Sequence, residues 1–392
     1  MAIGVVTNES SIALVAEVTE GTYVAPSAST DYVEVLSDGL ELNKSRELLE
    51  RDNLSSTVEG EAARVGIAEV QGAIPVELKA SATEGDAPQS LDILLRSLLG
   101  GKRQIAADQT SGTGHTATTI NFADTSAFAI GDIVLVKEAG AYECRPISSI
   151  VTNTSITFPI ALENGAPSTG VVVAQVTTYY SDTANSISFS AEHNLGSQAI
   201  KQKADGLRAA SMSVDNWSVG QMPTCNFSVQ GLNIERADED ALFSPDFTAD
   251  ALPPVALSAC MWLGGNKLDY TEMGVSIENT VNYLNSACDA DGRISSRITG
   301  QTTSVNINPY MDDTDLTKTW NKFNNNNDVS VFAYAYNPSA TAGEFAEAVA
   351  IWIPQGKIIE APVADTDGIV SETIAVRAHR SLGKDSVFLG FI

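Results

Sequence analysis

Residues 74–80 read IPVELKA, with aliphatic side chains at every second position. This period of two is typical of a β-strand that buries one face. The same alternation recurs at residues 12–18 (IALVAEV), 187–191 (ISFSA) and 329–334 (VSVFAY). The final residues, SVFLGFI, predict a closing strand, because so apolar a terminus is expected to pair in a sheet. The sequence therefore predicts a mainly β fold.

Two segments have helical spacing instead. Residues 91–99 place five leucines on one face, with Asp86 as the predicted cap, Pro88 in the first turn and two glycines at 100–101 as the end. A second, shorter helix is predicted over residues 312–323, and the asparagine run that follows stops it.

The chain has 392 residues, a length that predicts two or three domains. Its 43% hydrophobic and 18% charged residues are typical of a folded globular protein. The 49 acidic and 23 basic residues give a net charge of −26, which argues against a basic nucleic-acid-binding domain and against docking to anionic lipid. We expect no membrane span and no export signal, since apolar runs are short and the N-terminus lacks a basic region.

No catalytic constellation emerges from the sequence. The three histidines lack metal-ligand spacing, and residues 112–117 match G-x-G-x-x-A without the strand and helix of a dinucleotide site. Residues 289–292 (DADG) and 365–368 (DTDG) resemble calcium loops, but their glycine and glutamate positions are wrong. They predict hairpin turns, with weak cation binding as the alternative. The sequence thus predicts no enzyme, no cofactor and no metal site.

The four cysteines are far apart and form no C-x-x-C pair: Cys144, Cys225, Cys260 and Cys288. We expect buried thiols, with a single opportunistic disulfide as the alternative. Neither outcome makes a disulfide scaffold.

The sequence pattern changes after the first predicted helix. It opens with TSGTG at residues 110–114, and short strands such as 133–136 and 171–174 follow between glycine turns. This pattern predicts a small all-β module with its own core, inserted at residues 102–180. Removing it would join the first helix to the strand near Asn185.

The two flanking portions resemble each other in a fixed order of motifs. GLEL at 39–42 matches GVSI at 274–277, VEL at 76–78 matches VNI at 305–307, and the x-D-G turn at 204–207 matches that at 366–369. Self-similarity in fixed order predicts a tandem duplication. The predicted copies are residues 1–101 with 181–245, and residues 246–392.

A long polar arm lies between Leu42 and Val65. Long connections inside a compact domain are usually functional, so the arm predicts a contact with a neighbouring subunit through paired charges. The alternative is a solvated loop. The candidate contact residues are Lys44, Arg46, Glu47, Glu50, Arg51 and Arg64.

Taken together, these motifs resemble the siphophage (long-tailed bacteriophage) major tail tube protein family. Residues 16–26 (AEVTEGTYVAP) resemble the family's opening strand and its E-x-x-x-G-T-x-x-x-P turn. The charged arm, the VEL strand at 76–78 that leads to the leucine helix, and ADTDG at 364–368 before an alternating strand complete the resemblance.

The resemblance implies a duplicated tail-tube β-sandwich or barrel with flanking helices, and an inserted decoration domain on the outside. It implies stacked rings of three duplicated subunits, or six, around a β-barrel lumen that conducts DNA during ejection. Tape measure protein and genomic DNA are the implied lumen partners, without a membrane. The implied location is the virion tail, and the host cytoplasm during assembly.

Two other functions stay open at this point. A secreted adhesin or surface-layer protein would also be acidic and rich in strands, but should carry an export signal. A polysaccharide-degrading enzyme could pair carboxylates among the 49 acids, although four tryptophans offer few platforms for sugars. For a tube, the excess of acidic residues predicts a net negative lumen, because lysine or arginine side chains facing the lumen would neutralise phosphates and bind the DNA.

Overall fold

The structure is a computed structural model. It describes residues 9–51, 62–138, 140–196, 200–257, 259–288, 292–312, 316–338, 345–381 and 383–392. The prediction of a mainly β fold is confirmed, since long antiparallel strands dominate these residues.

The elements follow in chain order. First come β1 (Ser11–Ala16), β2 (Tyr32–Val33), β3 (Glu41–Leu49), β4 (Arg64–Glu77) and α1 (Asp92–Leu98). Next are β5 (Gly100–Ile105), β6 (Gln109–Thr110), β7 (Thr119–Asn121), β8 (Ile133–Glu138), β9 (Ala141–Pro146), β10 (Ser149–Val151), β11 (Ser155–Thr157), β12 (Val172–Val173) and β13 (Val176–Ser181). Then follow β14 (Phe189–Asn194), β15 (Lys201–Ser218), β16 (Thr224–Gly231) and β17 (Asn233–Ala237).

The remaining elements are β18 (Ala259–Leu263), β19 (Asn266–Leu268), β20 (Tyr270–Asn285), β21 (Arg293–Pro309), α2 (Asn321–Asn324), β22 (Asp328–Pro338), β23 (Phe345–Glu360), β24 (Val363–Thr366), β25 (Ile369–Glu372), β26 (Ile374–Ala378) and β27 (Phe388–Phe391). Single 3-10 turns lie at Ser29–Asp31 and Thr183–Asn185, and a π turn at Leu316–Trp320 precedes α2. We call β1–β4, α1 and β14–β17 the first half, β5–β13 the inserted segment, and β18–β27 with α2 the second half.

The two halves share one pattern of strand pairing. In the first half, one layer runs β2–β1–β14–β15–β17 and the other runs β3–β4–β16–β15. In the second half, the matching layers run β19–β18–β22–β23–β27 and β20–β21–β26–β23. All fourteen pairings are antiparallel, and β15 and β23 each pass through both layers of their half. Each half is therefore a β-sandwich of the same connectivity.

One apolar core joins both layers of both halves. It includes Ile12, Ile74 and Phe227 from the first half, and Val275 and Ile351 from the second. The predicted closing strand is confirmed as β27, which lies between β13 and β23.

The leucine helix forms, but it begins later than predicted. The five leucines at positions 91, 94, 95, 98 and 99 are all fully buried. The helix begins at Asp92 without a side-chain cap at Leu91, and the carboxylate of Asp250 accepts the backbone N–H groups of Gln89 (2.7 Å) and Ser90 (3.1 Å) in the turn that leads into it. The predicted cap, Asp86, lies before that turn. A contact 160 residues away along the sequence cannot be found from local spacing.

The second predicted helix is reduced to the π turn and the four residues of α2. Asp313, one of its predicted starting residues, lies outside the described residues. The two predicted x-D-G turns also differ. Asp367 and Gly368 turn the β24–β25 hairpin with positive φ, whereas Asp205 and Gly206 form a bulge inside β15. The predicted match between these two segments is therefore wrong. Of residues 289–292, only Gly292 is described.

The polar arm is not the loop that the sequence predicts. Its described residues extend the ladder of β3 and β4, with Lys44 opposite Val70 and Leu49 opposite Arg64. The loop prediction is wrong for these residues. Their strand ends cover no core, so polar and apolar side chains do not alternate along the sequence, although the two backbones pair. Residues 52–61 of the arm lie outside the described residues.

The inserted segment begins and ends with strands that pair with each other. β5 pairs with β13, and β13 pairs in turn with β27 of the second half. Between them, β10–β11–β7 and β6–β12–β8–β9 form two small sheets. The apolar cluster of this segment is distinct from the main core, and it also contains Trp262, Phe332 and Trp352 from the second half.

Candidate assembly surfaces

The two halves are joined by strands in one layer. β15 of the first half pairs with β20 of the second, with Met212 opposite Ile277 and Val214 opposite Val275. These four side chains are at most 2% exposed. The layer β3–β4–β16–β15 therefore continues into β20–β21–β26–β23 without a break, and we call this eight-stranded layer the continuous sheet.

A charged cluster stabilises the same joint. The carboxylate of Glu20 accepts hydrogen bonds from Arg208 (2.9 Å), Arg297 (2.8 Å) and the hydroxyl of Ser296 (2.7 Å). Burial by itself raises the pKa of the Glu20 carboxyl, but the hydrogen bonds from Ser296 and the charge of Arg208 outweigh it, so the pKa lies below its ordinary value. Because Ser296 and Arg297 belong to the second half, the cluster stabilises the joint as an ionised group.

The inserted segment makes a further contact between the halves. The fully buried guanidinium of Arg145 pairs with Glu143 at 2.6 Å and lies 4.9 Å from the ring centroid of Trp262. Trp262 stacks on Tyr334, with centroids 5.7 Å apart. Gly131 has no room for a side chain, since a Cβ there would lie 2.0 Å from the ring of Phe388. The insert of the first half thus packs on an aromatic surface of the second half.

Two strand edges of the continuous sheet have no pairing strand among the described residues, unlike the edges that meet in the β15–β20 joint. Among the described strands, β3 pairs with β4 alone. At the other end, residues 358–360 of β23 pair with β26 on one side, and no described strand lies on the other. These edges occupy the positions that β20 and β15 occupy in the joint. They expose backbone donors and acceptors that suit pairing with another chain.

One face of the continuous sheet is polar along its whole length. Side chains that alternate with the buried ones are mostly serine, threonine, asparagine and glutamine. The charged members that the structure describes include seven acidic and three basic residues: Glu41, Glu69, Glu77, Asp215, Glu272, Glu278, Glu360, Arg297, Lys357 and Arg377. This face is net negative.

The predicted contact residues all lie on the β3–β4 hairpin. Arg46, Glu47, Glu50, Arg51 and Arg64 are exposed near its free end. Only Lys44 is half-buried, where its ammonium group donates to the side-chain oxygen of Asn233. Three exposed apolar residues accompany the charges: Leu48, Leu49 and Val65. The contact role of this hairpin end stays a prediction.

A second exposed apolar patch lies at the opposite end of the same strands. The far end of β4, at Glu77, pairs with Thr224 beside the turn that follows β15. That turn and the proline-containing linker between the halves are held together by the hydrogen bond from Ala256 N–H to the carbonyl of Gln221 (2.9 Å). Their exposed side chains are Val219, Met222, Leu252 and Leu257, which we call the turn patch.

Sequence reasoning missed Glu20, Arg208, Ser296 and Asp250. Each of them acts across a separation of many positions in the chain, so no local motif signals it. The four cysteines are free thiols, with Cys144 and Cys225 buried, Cys260 half-buried and Cys288 exposed. Over the described ranges, no cluster of potential metal ligands occurs and no helix has the length and apolarity to cross a bilayer.

These surfaces define a class of protein: a repeated β-sandwich with open sheet edges, a long projecting hairpin and a shallow, polar, acidic face. A family profile described as phage tail tube protein matches residues 7–378. The chain therefore belongs to the phage tail tube protein family. A search of curated proteins finds no match. Membership in this family gives the chain a structural role in the tail tube of a virion, by association with copies of itself.

Proposed function

We propose that the chain forms closed rings that stack into the tail tube and conduct DNA during ejection. The observation that carries this proposal is the internal joint, in which the edge strand β15 of one sandwich pairs with the edge strand β20 of the next. The same edges recur unpaired as β23 and β3 among the described strands. Repeating one joint between chains closes the sheet into a barrel, which leaves no open edge.

The ring contains three chains, each supplying two sandwiches. Single-domain relatives in the resembled family form hexamers, and the repeated strand pairing supports two tube domains in each chain. In this proposal residues 1–101 with 181–245 form the first tube domain and residues 246–392 the second. Residues 102–180 are the inserted domain, which decorates the outside of the ring.

The polar face of the continuous sheet lines the lumen. Among its described charged residues, seven are acidic and three are basic, so the wall repels phosphate over about 8 Å, the Debye length at physiological salt. The three basic residues, Arg297, Lys357 and Arg377, are too few to hold a duplex by counterion release. Genomic DNA and the tape measure protein are the proposed occupants, in the virion tail and, during assembly, in the host cytoplasm.

Stacking along the tube uses the two ends of the strands. The β3–β4 hairpin end of one ring docks on the turn patch of the next, because both surfaces carry exposed apolar side chains and lie at opposite ends of one subunit. A head-to-tail contact of this kind propagates without limit. Arg46 and Arg64 pair with acidic groups of the neighbouring ring and fix its orientation.

Negative-stain microscopy and sedimentation of the purified protein test this function. We expect hollow tubes at high concentration and rings of uniform mass after mild dissociation. A single species of one-chain mass across the concentration range, with no assembly in the images, would overturn the proposal.

Charge reversal separates stacking from ring formation. Arg64→Glu is expected to leave rings of normal mass and to abolish tubes. Arg380→Glu, at an exposed position between β26 and β27, is the matched control and should assemble normally. Equal tube formation by both variants would contradict the stacking role of the hairpin.

A further inference from the structure

We propose that a cavity between the two halves binds a small phosphate compound that carries an O–H group. The cavity has a volume of about 380 Å³, within the range of ligand sites. Its buried lining includes Asp182, which directly follows β13, and Thr303 of β21. Its exposed lining includes Arg380 and Lys384, in the connection between β26 and β27. We call it the β21 cavity.

Two buried polar side chains of this cavity have an oxygen atom without a hydrogen-bond partner among the described residues. Thr303 is 2% exposed, and its Oγ1 is unpaired. Asp182 is 5% exposed, and its Oδ1 is unpaired. A buried polar atom that is left unpaired destabilises the fold, because it has lost its hydrogen bonds to water. A bound molecule that donates to Asp182 and pairs with Thr303 would remove this cost.

The second carboxylate oxygen of Asp182 already has partners. Asp182 Oδ2 accepts hydrogen bonds from the ammonium group of Lys384 (2.8 Å) and from the side-chain amide of Asn185 (2.8 Å). A carboxylate accepts hydrogen bonds and donates none. The free oxygen, Oδ1, therefore selects a ligand that brings an O–H or N–H donor.

The exposed wall of the cavity is basic, although the chain as a whole has a net charge of −26. Arg380 is exposed and has no ion-pair partner among the described residues, and Lys384 pairs with Asp182. His379 also lines the cavity, but its ring lies 3.5 Å from the carboxylate of Asp328. Guanidinium and ammonium groups form charge-assisted hydrogen bonds with phosphate oxygens. The wall therefore favours an anion.

The two cations of the wall lie on a connection that is held by its own hydrogen bonds. The carboxylate of Asp385 accepts the backbone N–H groups of Ser381 (3.1 Å) and Gly383 (3.1 Å). These bonds position the backbone between Arg380 and Lys384. The cations therefore come from an ordered turn on one side of the cavity, opposite the unpaired oxygens on the other.

The ligand must combine negative charge with a hydrogen-bond donor. Inorganic phosphate keeps at least one O–H group at neutral pH, and a sugar phosphate brings the hydroxyls of its sugar. Sulfate and the phosphodiester of DNA offer no such donor, so the Asp182 carboxylate repels them without compensation. The apolar lining residues are Ala184 and Ala378. Without larger apolar side chains the lining favours a small hydrophilic anion over a peptide.

The cavity lies behind the polar face of the continuous sheet. Thr303 is opposite Ile277 in the β20–β21 pair, and Ile277 is a fully buried member of the main core. Side chains alternate between the two faces of a strand, so Thr302 and Ser304 belong to the polar face and Thr303 does not. A basic site at this position is compatible with an acidic lumen, because the sheet separates the two.

Calorimetric titration of the full chain at pH 7 in Tris buffer tests the site. The probes are potassium phosphate, potassium sulfate and glucose 6-phosphate. We expect phosphate to bind about tenfold more tightly than sulfate, or better, because only phosphate donates to Asp182. Arg380→Ala should weaken phosphate binding about tenfold. Arg236→Ala, at an exposed position on β17, is the matched control and should bind phosphate normally.

Two buried positions test the recognition of the O–H group. Thr303→Val keeps the shape of the side chain and removes its hydroxyl, so it should weaken phosphate binding severalfold. Asp182→Asn introduces a side-chain amide that can donate, and should bring the affinities for phosphate and sulfate to within about threefold of each other. A purely structural role of Asp182 would lower both affinities together and leave their ratio unchanged.

The outcomes distinguish a specific site from general attraction of anions. Equal affinity of the unmodified protein for phosphate and sulfate overturns the proposal, as does phosphate binding that Arg380→Ala leaves unchanged. No binding of any probe means that the cavity holds water only, and also overturns it. Tighter binding of glucose 6-phosphate than of phosphate identifies a sugar phosphate as the ligand, and the reverse identifies free phosphate. Stacking uses other surfaces, so Arg380→Glu should lose phosphate binding and still form tubes.

Discussion

The two halves of the chain have the same sandwich and differ in the connection that leaves the helix. In the second half α2 ends at Asn324 and β22 begins at Asp328. In the first half the inserted segment separates α1 from β14, and its far surface packs on the aromatic side chains of the second half. The framework therefore tolerates a large insertion at this connection. The insertion adds a third contact between the halves, beside the β15–β20 joint and the Glu20 cluster.

Breaking the contact of the insert should have the largest effect. Arg145→Ala leaves Glu143 buried without its cation, and we expect a loss of about 3–5 kcal/mol in the free energy of unfolding. Chemical denaturation measures this. Lys267→Ala is the matched control, because Lys267 lies 5.5 Å from the same Trp262 ring but is partly exposed. It should cost about 1 kcal/mol or less. Equal losses would show that burial does not distinguish the two cations.

The helices of the two halves provide the next comparison. Leu95 of α1 is fully buried, so Leu95→Ala should lower the free energy of unfolding by about 2–5 kcal/mol. Trp320, which directly precedes α2, is 43% exposed, and Trp320→Ala should cost about half as much or less. Calorimetry of the two variants under one condition is the measurement. A larger loss at Trp320 would contradict the assignment of α1 as the core helix.

This contrast shows how far the sequence can predict the structure. The leucines of α1 follow the period of a helix with one buried face, and the strands that cover the core follow the period of two. Both signals come from burial and are local. By contrast, the ends of β3 and β4 bury nothing, and their pairing depends on backbone hydrogen bonds that have no signature in side chains. The residues of the joint, such as Glu20 and Arg208, depend on contacts that only the folded chain brings together.

Acid should weaken the joint between the halves. The folded pKa of Glu20 lies below its ordinary value of 4.5, so the cluster stabilises the fold fully above that value and loses its contribution as pH falls through the folded pKa. Glu20→Gln should cost about 2 kcal/mol at neutral pH, typical of hydrogen bonds to a charged group. It should also remove part of the decline in melting temperature below pH 4.5. Glu278→Gln, at an exposed position, should change neither. A Glu20→Gln variant with an unchanged acid profile would contradict the role of the cluster.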